Sequence, residues 1–168
     1  MANSTRPDLV LSLGDMLPNV REGDSGVGTQ LAGVQQTVSW ALGPPLLVDG
    51  ATYQVVGFVA PVPGCWIKEL WVSAMVLIAA GTNTLAFDNY DASANAVGNI
   101  LSTTNVDPSA GGFPAVVNEG TQLTLTTTLE DRTMDEGDVL SSTLVAGTQS
   151  TAGQGYAVTA TIVVPDVY

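Results

Sequence analysis

Carboxylates are the reactive groups this 168-residue chain holds in quantity: 16 Asp and Glu stand against 4 Lys and Arg, with no histidine. The densest run is Glu130-Asp131-Arg132-Thr133-Met134-Asp135-Glu136-Gly137-Asp138. Calcium takes about six to eight oxygen ligands, so carboxylates gathered near a turn could hold it. The spacing does not match an EF-hand loop. The same residues also read as a turn, Asp135-Glu136-Gly137-Asp138, which bends at a permissive glycine and leaves its carboxylates in water. The turn is the expectation. A second pair is Asp88 and Asp91, within Asp88-Asn89-Tyr90-Asp91. Two carboxylates spaced this way could serve a glycosidase or bind a cation. Glycoside hydrolysis needs one carboxyl raised by an apolar pocket and a defined separation between the two. A polar strand end running into a turn needs neither, and is the expected reading.

Several chemistries are removed by composition. Without an imidazole there is no Ser-His-Asp or Cys-His nucleophile and no His-ligated zinc. Cys65 is the sole cysteine, so it forms no intramolecular disulfide and no cysteine cage. A reactive thiol needs a cationic neighbour, and Lys68, the single lysine, is the candidate near in sequence. Otherwise Cys65 is a small buried apolar residue, which is expected here. A net charge of −12 argues against nucleic acid as a partner. No phosphate-cradling glycine loop is present. No catalytic residue, cofactor or metal is therefore assigned. The start, Met1 to Asp8, lacks the layout of a signal peptide. The longest apolar stretch, Val72 to Ala80, is far short of the ~20 residues that span a bilayer. The expectation is a soluble protein made in a cytoplasm, with no membrane partner.

The elements that would position these groups are strands. Valine, threonine and alanine are plentiful, and short runs alternate with Gly, Pro, Asn and Asp. The runs are Val34–Leu42, Thr52–Ala60, Trp66–Ile78, Thr84–Tyr90, Val97–Thr103, Thr121–Leu129, Asp138–Val145 and Gly155–Val164. Tyr156, Val158, Ala160, Ile162 and Val164 share one face, opposite Thr159 and Thr161. Leu123, Leu125 and Leu129 oppose Thr124, Thr126 and Thr128. One apolar face and one wetter face mark antiparallel sheets. The length suits one domain. The fold class is all-β: an antiparallel β-sandwich of about eight strands over residues 34–168, with a jelly roll the expected arrangement and a closed barrel the alternative.

Residues 1–33 are dense in Gly and Pro and read as an extended N-terminal arm. Within it, Asp8 to Leu13 could form a short strand with Leu9, Leu11 and Leu13 on one side. These side chains are costly to leave in water, so the arm is expected to order against something, the alternative being a disordered tail. Trp66 and Trp71 are five apart and would face opposite sides of a regular strand: one toward the core, the other toward water, a ligand or a partner subunit, the alternative being core packing for both where the strand is covered on two sides. The run Trp66–Ile78 is apolar on both faces, with Val72, Ala74, Val76 and Ile78 on one and Trp71, Met75 and Leu77 on the other. Such a strand is covered on both sides, by the arm or by a neighbouring copy. Leu9, Leu11, Leu13, Trp66 and Trp71 are the candidate interface residues.

The glycine- and threonine-rich arm, the strand Trp66-Ile67-Lys68-Glu69-Leu70-Trp71-Val72, the Asn89-Tyr90-Asp91 turn, Glu136-Gly137-Asp138-Val139-Leu140 and the final strand Gly155-Tyr156-Ala157-Val158-Thr159-Ala160-Thr161-Ile162-Val163-Val164-Pro165 resemble small virion proteins of tailed bacteriophages. The similarity is to jelly-roll head decoration, or cement, proteins, with fibre modules behind them, and spans about residues 50–165. The resemblance implies a homotrimer on the outer capsid surface that bridges subunits of the major capsid protein. It transfers no functional residue, because the family has no fixed motif. Two other functions compete: a receptor- or glycan-binding module of a head or tail fibre, with an exposed tryptophan as stacking platform, and a carboxylate enzyme using Asp88 and Asp91.

Overall fold

A computed structural model describes residues 33–79, 81–91, 93, 95–109, 112–114 and 116–165. Strands form where the sequence alternates: β1 (Gly33–Ala41), β2 (Thr52–Val59), β3 (Cys65–Ser73), β4 (Thr84–Tyr90), β5 (Ala96–Asn99), β6 (Thr121–Gln122), β7 (Thr133–Met134), β8 (Val139–Val145) and β9 (Ala157–Pro165). A 3-10 turn, Glu130–Arg132, precedes β7. There is no α-helix among the described residues. Two sheets result. The first has the order β1-β9-β3-β6, with β7 also paired to β3; the second has the order β2-β8-β4-β5. Every pairing of these strands is antiparallel. The fold is an all-β sandwich. The first strand lies beside the last and the second beside the next to last, an order compatible with a jelly roll.

The inner faces follow the alternation. β9 buries Val158, Ala160 and Ile162 and leaves Thr159 and Thr161 half-exposed. β4 buries Leu85, Phe87 and Asn89 and turns Thr84, Ala86, Asp88 and Tyr90 outward. With Ile67, Leu70, Val72, Leu140 and Leu144 these make one continuous core. Burying each large side chain there contributes about 1.5–3 kcal/mol. Trp40 of β1 crosses between the sheets. Its indole N–H donates to Ser142 Oγ at 2.9 Å, and that hydroxyl donates to the Val55 carbonyl at 3.3 Å. The ring occupies the space over Gly57, where a Cβ would lie 2.5 Å from it. At one end of the sandwich, Tyr156 is buried and its hydroxyl ties two loops. It accepts the Ile78 N–H at 3.0 Å and donates to the Pro108 carbonyl.

Two expectations need correcting. The run Trp66–Ile78 is not one strand: β3 stops at Ser73, and the chain continues through isolated bridges at Val76 and Ile78. The run Thr121–Leu129 keeps two strand residues, with Leu123 buried but Leu129 exposed. Among the described residues Trp71 is 36% and Met75 66% exposed. The arm lies outside the described residues except for Gly33, and so do Leu9, Leu11 and Leu13.

Candidate functional site

β3 places both tryptophans on one surface. A regular strand would send Trp66 and Trp71 to opposite sides. The ladder with β9 shifts register between Ile67 and Glu69, and that bulge inserts one residue. Ile67 and Leu70, three apart, are therefore both buried, while Trp66 is half-exposed and Trp71 exposed on the outer face. The expectation that one of them fills the core is overturned by this bulge. The extra residue restores Leu70 and Val72 to the core and turns Trp71 outward.

Each tryptophan joins a cross-strand row. Trp66 pairs with Val163 on one side and Thr133 on the other. Trp71 pairs with Thr159 and Gln122. The two rows lie four positions apart on β9, about 13 Å along the strand. Between and beside them lie small polar groups. Ser39 and Thr159 share a hydroxyl hydrogen bond at 2.9 Å, and Lys68 Nζ donates to Gln35 Oε1 at 3.2 Å. The Arg132 guanidinium stands 5.7 Å over the Trp66 ring, a cation–π arrangement. The Trp71 indole N–H donates to Glu69 Oε2 at 3.4 Å. β1 and β9 carry no charged residue on this face or the other.

No family model matches the sequence, and no curated protein matches it. Among solved structures, a chain of the cyanophage Pam1 capsid asymmetric unit is similar, with a TM-score of 0.47 and 19% identity over 88% of this chain and 96% of that one.

The two carboxylate motifs separate into structural roles. Asp88 points outward from β4, and burial alone pushes its carboxyl above the ordinary value. Asp91 lies past the strand end and closes its own loop. Its carboxylate accepts the backbone N–H groups of Ser93 at 2.9 Å and Asn95 at 2.8 Å, and the Asn95 side-chain amide at 3.0 Å. Those bonds, led by the Asn95 side chain, hold it below the ordinary range. The acidic run folds as the expected turn. Asp138 N–H donates to the Asp135 carbonyl at 3.0 Å, the Asp138 carboxylate accepts the Asp135 N–H at 2.8 Å, and Gly137 takes a φ of 87°. Among the described residues no three His, Cys, Asp or Glu side chains gather as a metal site would require. Cys65 is buried, its thiol donates to the Val62 carbonyl at 3.2 Å, and burial raises its pKa. It is the small buried residue expected.

A second surface feature was not singled out from the sequence. A depression of about 480 Å³ on the outer face of the second sheet is lined by Gln54, Val56, Tyr90, Asp91, Gly137, Val139 and Ser141. Alternation along β2 does place Gln54 and Val56 outward. Only the pairing of β2 with β8, and of β8 with β4, brings them beside Tyr90.

Proposed function

We propose that this chain is a non-enzymatic structural protein of a bacteriophage virion. In this reading it is a homotrimeric decoration protein that binds the outer surface of the assembled head and bridges subunits of the major capsid protein. The observation that supports the reading is the outer face of the first sheet, where Trp66 and Trp71 stand beside the uncharged strand β9 and its uncharged neighbour β1. Interface centres are depleted in charge and enriched in aromatic residues. A net charge of −12 also keeps the protein off nucleic acid. A ligand of the assembled shell that ignores the free subunit stabilises the shell by mass action, and bridging multiplies a modest contact through effective concentration.

The test is binding of the purified protein to heads of the phage that encodes it, prepared without this chain. Trp71→Ala should weaken that binding by about thirtyfold, the size expected for an aromatic anchor, while unfolding at nearly the native temperature. Heads that fail to bind the unmodified protein would remove the reading. A glycan-binding role is favoured by a different observation: the depression on the second sheet sets Gln54, Tyr90, Asp91 and Ser141 beside Val56 and Val139. An array of polysaccharides with no bound member disposes of that alternative.

A further inference from the structure

The sheet edges are guarded unequally. β5, β6 and β7 are four, two and two residues long, too short to template another strand. β2 is interrupted by its bulge between Val56 and Phe58. β1 has no such guard. Its nine residues run in unbroken register with β9, from Gly33↔Pro165 to Ala41↔Ala157, and include no charge and no proline. Among the described strands only β9 pairs with it, so no described strand lies against its other edge. The first half of its inner side is exposed. Val34 is 65% exposed and Gln36 is exposed, although their partners Val164 and Ile162 are half-buried and buried. The first sheet overhangs the second at this corner and leaves Val34 and Gln36 without a cover among the described residues.

The chain carries 32 residues ahead of β1, and they include the alternating stretch Asp8-Leu9-Val10-Leu11-Ser12-Leu13. We propose that Asp8–Leu13 of a second copy of this chain adds as a strand to the free edge of β1, laying Leu9, Leu11 and Leu13 over Val34 and the overhang. The proposal deepens the oligomeric part of the reading above by naming its device. Six residues of strand cover about 20 Å, the length of Gly33–Val38. Residues 14–32 can reach about 60 Å when extended, enough to leave their own domain. Two copies at −12 repel one another overall; β1 and β9 carry no charged residue, so a second copy is accommodated at this edge without facing carboxylates. Each copy gives one strand and accepts one, a head-to-tail contact that closes into a ring when the rotation permits.

The test uses the full-length chain in solution, without any capsid. The unmodified protein should sediment as a multimer and protect alternate amides of Gly33–Val38 from hydrogen exchange. The variant Leu9→Asp/Leu11→Asp/Leu13→Asp has its changes outside the β domain. It should sediment as a monomer, keep its thermal transition, and exchange those amides at least tenfold faster. Val34→Lys, at the receiving edge, should also be monomeric. Mixed one to one, the two variants should form a heterodimer, because one retains a sound edge and the other a sound arm. A multimer that survives the triple change would overturn the proposal, since another surface would then hold the copies together. Protected β1 amides in an unmodified protein of monomer mass, with no heterodimer on mixing, would overturn it as well by showing that the chain's own arm fills the edge. Shell binding is not measured here, so either result leaves the decoration reading to stand or fall separately.

Discussion

The sandwich has two sides, and they are closed by different means. On one side the edges are β1 and β2, nine and eight residues long. They are joined by apolar contact, the Trp40 ring lying over Gly57 with its one polar atom satisfied by Ser142. On the other side the edges are β5, β6 and β7, none longer than four residues. Polar groups close that side. Asn89 donates to the Thr133 carbonyl at 2.8 Å, the Asp131 carboxylate fills the space over Gly98, and Arg132 covers Trp66. Three buried atoms there, Trp66 Nε1, Asn89 Oδ1 and Arg132 Nε, have no hydrogen-bond partner among the described residues. Short edges need no further protection against strand pairing, so that side tolerates imperfect polar closure. The long side closes by packing, and no described strand pairs with the second edge of β1.

Stability measurements can break this contrast. Trp40→Ala should be the most damaging change, costing about 3–5 kcal/mol in denaturant unfolding, since it leaves a large cavity between the sheets. A loss below 1 kcal/mol would mean that the long side does not depend on this contact. Gly57→Ala tests the same contact from the opposite strand. Its methyl must displace the indole, at a cost of about 1–3 kcal/mol. On the short side the effects should shrink. Arg132→Ala should cost about 0.5–1 kcal/mol, the worth of an exposed cation–π pair, and should change Trp66 fluorescence while leaving Trp71 alone.

The smallest effect should come from Asp88, which pairs across to Asn99 of β5. Its folded carboxyl lies above the ordinary value of 3.8 because burial disfavours the charge. The folded state therefore holds this proton to higher pH. The associated stability is complete below the unfolded value and disappears as pH rises through the folded one. Asp88→Asn should match the parent at low pH and gain slightly on it as pH rises through the folded value. Thermal transitions across that range would show it. A variant less stable than the parent at neutral pH would mean that the charge has a favourable partner.

Much of this architecture can be read directly from the residues. Thr84–Tyr90 is a strand with the bounds its alternation predicts, and the two faces of the last strand are those of Tyr156 to Ile162 against Thr159 and Thr161. Period-two alternation is local, because successive side chains of an extended chain must point to opposite sides whatever the partner strand is. The turn at Gly137 is local for the same reason: it closes through residues three apart.

The placement of the tryptophans is not local. It depends on a bulge between Ile67 and Glu69, which exists only as a mismatch between β3 and β9. Composition also left open where a run stops being a strand. Thr121–Leu129 alternates throughout, yet it extends only while β3 is alongside to take its hydrogen bonds. Alternation determined that this chain folds as two packed antiparallel sheets, since each strand has one apolar face to bury. Register, strand ends and the outward turn of Trp71 were decided by tertiary structure, because each is a property of two strands and neither strand specifies it alone.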